Sequence, residues 1–174
     1  MIKEVIETMS PEETFAFGER IGRESTPGQV YTLIGDLGVG KTVFTQGVAR
    51  GLGITEPVNS PTFTIVQIYD EGRMPFYHFD VYRISEPDDM YEIGFEEYIY
   101  GDGVVVIEWA DLIKEILPPE VIWVNIEKSY LNKKDTTGTD IIDTEAYLVL
   151  EEGRIINIYF LGEKYKNYAD YFTV

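Results

Sequence analysis

Gly35-Asp36-Leu37-Gly38-Val39-Gly40-Lys41-Thr42 completes the pattern G-x-x-x-x-G-K-[ST] of a phosphate-binding loop. It follows an apolar run, Val30-Tyr31-Thr32-Leu33-Ile34, and precedes a helical pattern that sets Phe44, Val48 and Leu52 on one face. Strand, glycine loop and helix come in the order such a loop requires. Glycines let the backbone turn sharply and aim successive N–H groups at phosphate oxygens, and the helix adds its positive N-terminal end. Lys41 can then reach the β- and γ-phosphates, and the Thr42 hydroxyl can ligate Mg²⁺. The cradle so read comprises Asp36, Leu37, Gly38, Val39, Gly40, Lys41, Thr42 and Val43. Binding of a nucleoside triphosphate is the expectation.

Upstream of the loop, Ser10-Pro11-Glu12-Glu13 reads as a helix start, with Ser10 as N-cap and Glu13 completing a capping box. Phe17 and Ile21 carry that helix to about Glu24, and Thr26-Pro27-Gly28 turns the chain into the first strand. Downstream, the helix after the loop stops near Gly51-Leu52-Gly53. A proline-containing polar loop, Val58-Asn59-Ser60-Pro61-Thr62-Phe63, leads into a strand over 64–69, and a second strand over 76–84 is its hairpin partner. Ser85 to Asp89 opens a helix that Gly94 breaks. Val104-Val105-Val106-Ile107 has the continuous β-branched pattern of a strand buried on both faces. A further strand spans 121–126. Residues 132–140 read as a linker. Strands over 146–150 and 155–160 flank Glu151-Glu152-Gly153-Arg154 as another hairpin turn, and Tyr165, Tyr168 and Phe172 recur at helical spacing in a tail that packs on the same domain.

A length of 174 residues suits one domain with a real core. No apolar run approaches a membrane span, the N-terminus lacks a signal-peptide pattern, and the chain has no cysteine, all of which fit a cytoplasmic protein. The single histidine, His78, rules out a multi-histidine metal site. The 31 acidic residues outnumber the 14 basic ones, for a formal net charge of −17. Such a surface repels a phosphate backbone, which disfavours direct binding to DNA or RNA; it either suits basic protein partners or is a general solubility adaptation.

Phosphoryl chemistry needs an acid near Mg²⁺, at the C-terminal end of a neighbouring hydrophobic strand. Glu108 closes the Val104–Ile107 run and Asp80 ends the stretch that begins at Met74. Either carboxylate can hold the metal or orient the attacking water. Ser60 and Thr62 lie in a loop able to fold over the γ-phosphate as a switch, or they are ordinary turn hydroxyls. His78 precedes Asp80 by two residues, so it either orients that acid or is a satisfied core histidine. Trp109 packs near a base or fills the core, and Arg83 meets phosphate or forms a structural ion pair.

The ordered set resembles the TsaE family, the small ATPases of bacterial tRNA threonylcarbamoyladenosine biosynthesis. The resemblance rests on Thr14-Phe15-Ala16-Phe17-Gly18, the Gly35–Thr42 loop, Ser60-Pro61-Thr62-Phe63-Thr64, Tyr77-His78-Phe79-Asp80-Val81-Tyr82-Arg83, Ile93-Gly94-Phe95 and Val106-Ile107-Glu108-Trp109. It covers roughly residues 10 to 126. The resemblance implies a P-loop α/β domain of three layers with a mixed, largely parallel central sheet. It also implies slow Mg²⁺-dependent ATP hydrolysis, with TsaB and TsaD as partners and tRNA reached through that complex. On the same basis Thr42 and Glu108 ligate Mg²⁺, Asp80 is the essential acid near the γ-phosphate, and Ser60 to Thr62 respond to nucleotide. Trp109 lies near the nucleotide, and Thr14 contacts the adenine side. Beside this stand two other readings, a small-molecule kinase using the same loop and a nucleotide-binding interaction module without catalysis.

Overall fold

The structure is a computed structural model that describes residues 2–131 and 151–165. The described strands form one seven-stranded sheet: β1 (Ile2–Thr8), β2 (Val30–Ile34), β3 (Val66–Tyr69), β4 (Phe76–Asp80), β5 (Val104–Glu108), β6 (Ile122–Leu131) and β7 (Glu151–Phe160). Their spatial order is β1-β7-β6-β2-β5-β4-β3. The central strands β6, β2, β5 and β4 run parallel, while β1, β7 and β3 add antiparallel edges. This is the mixed sheet with a parallel centre that the α/β reading expects.

Alternation along the strands sorts the core into two layers. On one face Tyr31, Leu33, Val104 and Val106 meet Phe17, Ile21, Phe44 and Val48 from α1 (Pro11–Glu24) and α2 (Lys41–Gly51). On the other face Val30, Phe79, Val105 and Ile107 pack on Met90, Phe95 and Ile99 from α3 (Asp89–Glu92) and α4 (Phe95–Ile99). Ile113, in a 3₁₀ helix over Ala110–Ile116, completes this second layer. All five residues of β5 are buried, because β2 and β4 flank it and helices cover both faces. Among the described residues no helix is long and apolar enough to cross a membrane.

Local signals account for the helix ends. Ser10 caps α1 by accepting the Glu13 N–H at 3.2 Å, with Pro11 in the first turn. Glu13 reaches back as a capping-box residue does, but it takes the Met9 N–H at 2.7 Å rather than that of Ser10.

Four expectations about strands change, the first being that the strand expected over 121–126 runs over Ile122–Leu131, where β7 continues its ladder. The strand expected from residue 64 begins at Val66, because Ile65 lies in the left-handed region (φ 67°) and returns its N–H to the Pro61 carbonyl at 2.7 Å. The strand expected to run to residue 84 stops at Asp80, where Val81 to Ile84 close a turn through the Ile84 N–H and the Val81 carbonyl. Glu151-Glu152-Gly153-Arg154 is not a turn. These residues are the first rungs of β7, paired with Leu131 to Lys128 of β6, so a ladder satisfies a backbone whose composition reads as a loop. The linker over 132–140, the strand over 146–150, and Tyr168 and Phe172 fall outside the described residues. Tyr165 is buried against Phe160, on its own chain as expected.

Candidate functional site

Strand parity puts the acids where α2 begins. Val104, Val106 and Glu108 share the face of β5 that α2 covers, and the register pairs Asp80 with Glu108 and His78 with Val106. Both carboxylates therefore end their parallel strands beside the Gly35–Thr42 loop, at the C-terminal edge where open α/β sheets place ligands. They line a cleft of about 450 Å³ with Gly38, Gly40, Lys41, Thr42, Ser60, Thr62 and Trp109. Leu37 and Val43 also border it, and the Val39 side chain turns into the core instead.

Gly40 adopts φ 111° and no side chain caps α2. The first-turn amides of a helix have no internal partner, so this end offers N–H donors and a partial positive charge to the cleft. Lys41 is folded back over the loop, its Nζ donating to the carbonyls of Gly35 (2.6 Å) and Asp36 (2.9 Å) and lying 3.7 Å from the centre of the Trp109 ring. Burial pushes its ammonium below the ordinary value, and the charges of Glu108, Asp80, Asp111 and Asp36 offset this only in part. Trp109 holds its place with a left-handed backbone, φ 63°, in contact with Tyr82.

Glu108 is almost fully buried and enclosed by donors. Its Oε2 accepts the Thr42 hydroxyl at 3.0 Å, and its Oε1 accepts His78 Nε2 at 2.8 Å and, more weakly, the Thr45 hydroxyl at 3.4 Å. The Asp80 carboxylate accepts from the Ser60 hydroxyl and from Thr62 Oγ1 (3.2 Å) at Oδ2, and from the Tyr82 N–H (3.1 Å) at Oδ1. The loop carrying Ser60 and Thr62 is thus latched to an acid. Its far end is the strained Ile65, whose carbonyl accepts the Asp80 N–H at 2.9 Å.

Apart from Asp36, which meets Lys41 through its carbonyl, and the core-facing Val39, the expected residues converge, with three further differences. His78 meets Glu108 rather than Asp80, because the ladder sets its ring beside the end of β5. Arg83 forms no ion pair among the described residues; it lines the cleft, as its phosphate reading requires, with its guanidinium 4.5 Å from the centre of the Phe63 ring. Thr14 lies outside the main cleft; it lines a separate cavity of about 100 Å³ beyond Gly40 and Val43, its hydroxyl bonded to Thr8 Oγ1 at 2.8 Å.

Two site residues escaped the sequence reading. Arg154 of β7 lines that second cavity and donates Nε to the Val39 carbonyl at 2.6 Å, bracing the glycine loop from a strand more than a hundred residues away. Nothing local in the sequence marks it. Thr45 had a signal, the three-residue spacing from Thr42 that sets both hydroxyls on one helix face.

Among known proteins, the sequence model of the family described as "Threonylcarbamoyl adenosine biosynthesis protein TsaE" matches residues 8–136. The tRNA threonylcarbamoyladenosine biosynthesis protein TsaE of Bacillus subtilis is 45% identical over 151 residues, covering 87% of this chain and 94% of the relative. Its namesake in Treponema pallidum is 42% identical over 117 residues, covering 67% of this chain and 86% of the relative. The crystal structure of Bacillus subtilis YdiB matches with a TM-score of 0.74 at 36% identity, over 98% of this chain and 93% of that one. This likeness extends past Ile126, where the recognisable motifs end. The chain belongs to the TsaE family of tRNA threonylcarbamoyladenosine biosynthesis proteins.

Proposed function

We propose that this protein is a Mg²⁺-dependent ATPase that serves tRNA threonylcarbamoyladenosine modification in the cytoplasm, with TsaB and TsaD as its partners and tRNA reached through them. The observation that carries the reading is the convergence of Lys41, Thr42, Asp80 and Glu108 on one cleft beside an uncapped helix start. Thr42 and Glu108 offer two hard oxygens in contact, which fits Mg²⁺, an ion that takes one or two protein oxygens and completes its octahedron from phosphates and water. When bound, Mg²⁺ would neutralise charge on the phosphate oxygens.

The chain's own residues do the rest. The Thr42 hydroxyl donates its hydrogen bond to Glu108, which leaves an oxygen lone pair free for the cation. Lys41 exchanges the Gly35 and Asp36 carbonyls for phosphate oxygens, and its poor solvation strengthens that attraction. Asp80 orients the attacking water, and Ser60 and Thr62 govern its availability, since both hydroxyls occupy Oδ2. Trp109 shields Lys41 from one side. The −17 charge is consistent with tRNA being held by partner proteins rather than by this subunit.

Phosphate release from ATP tests the reading. Weak Mg²⁺-dependent hydrolysis is expected, rising with the partner proteins and abolished in Lys41→Ala. Wild-type release equal to the Lys41→Ala blank, with and without TsaB and TsaD, overturns it.

A further inference from the structure

We infer that His78 is a positioning residue that fixes the Glu108 carboxylate for its cation, an inference that rests on the metal role proposed above for Glu108. His78 is completely buried, and it is the only histidine in the chain. The β4–β5 register sets it opposite Val106, one side-chain step before the Asp80–Glu108 rung, with Phe76 stacked 6.3 Å from the ring centre. Its Nε2 lies 2.8 Å from Glu108 Oε1, while Nδ1 is buried with no partner among the described residues.

That asymmetry assigns the tautomer. A proton on Nδ1 would be buried with no acceptor, whereas a proton on Nε2 is donated to a carboxylate. His78 Nε2–H therefore engages Oε1 and leaves Oε2 as the oxygen directed at Thr42 and the cleft. Turning the carboxylate out of this orientation would break the His78 and Thr42 hydrogen bonds together. The arrangement is that of an outer partner orienting a metal-binding carboxylate, and removing such partners typically weakens metal binding about 10- to 100-fold.

The test uses Mn²⁺ with a non-hydrolysable ATP analogue on the full chain, with bound metal read by electron paramagnetic resonance. His78→Leu removes the donor, and His78→Gln returns an N–H near the position of Nε2. We expect His78→Leu to weaken Mn²⁺ binding about tenfold or more. Metal-free affinity for the analogue should stay within about twofold, and His78→Gln should recover most of the loss. Equal Mn²⁺ affinity in wild type and His78→Leu, or equal losses in both variants, overturns the inference while leaving the proposed function standing. Absence of Mn²⁺ uptake by the wild type overturns both. Nitrogen NMR of ¹⁵N-histidine-labelled wild type, with one histidine to observe, needs no variant to fold: a proton on Nε2 supports the inference and a proton on Nδ1 refutes it.

Discussion

Replacing Gly47 with alanine tests the packing that holds the phosphate loop's helix in place. Gly18 and Gly22 of α1 face Gly47 and Gly51 of α2, and a Cβ at Gly47 would lie 2.2 Å from the Phe15 carbonyl oxygen and 3.0 Å from Gly18 Cα. The obstruction is backbone, so no side chain can rotate away. Ordinary contact begins near 3.4 Å, and the helices must separate by about 1.2 Å to restore it. Overpacking costs about 1–3 kcal/mol when neighbours can adjust, and a rigid carbonyl puts this site near the upper end. Alanine returns about 1 kcal/mol of helix propensity. The net expectation is a loss of about 2 kcal/mol, read as a urea midpoint lowered by about 1 M with unchanged slope. Because α2 begins at Lys41, the same movement draws Thr42 away from Glu108, and proposed turnover should fall by about ten- to a hundredfold. Gly18→Ala combined with Gly47→Ala should lose less than the two singles together, since the helices separate once. A Gly47→Ala protein as stable as wild type, or more so, refutes the reasoning by showing that propensity outweighs the seam.

Three further outcomes are expected. Burial lowers the Lys41 value from 10.5, so in the window up to 10.5 the unfolded chain binds more protons than the folded one. In that window the stability of ligand-free wild type relative to Lys41→Met should rise with pH, by at most about 1.4 kcal/mol per unit, and a flat difference in urea titrations contradicts the shift. Asp80→Ala should keep nucleotide affinity while losing turnover; a binding loss of about a hundredfold in calorimetry would make Asp80 a structural residue instead. Arg154→Ala removes a charged donor from the Val39 carbonyl and should lower stability by about 1.5–3 kcal/mol with weaker nucleotide binding, and unchanged values in both denaturation and calorimetry would show that the loop needs no brace.

The sequence by itself determined the features that are local along the chain. The glycine loop, its flanking strand and helix, and the β-branched run ending in Glu108 each follow from spacing over a few residues, while the sheet register and the packing of α2 turn Glu108 and Asp80 toward that helix. Tertiary structure alone decided which distant groups meet. β1 carries little apolar alternation, with Val5 more than half exposed and Thr8 buried, and it exists as a strand because β7 supplies its hydrogen bonds. The same pairing turns Gly153-Arg154 from an apparent turn into an extended rung and brings Arg154 under the phosphate loop. His78 had two readings until the β4–β5 register set it against Glu108. Backbone propensity acts over neighbours, whereas a ladder joins residues with no shared sequence context, and the contacts that tune this site are ladder contacts.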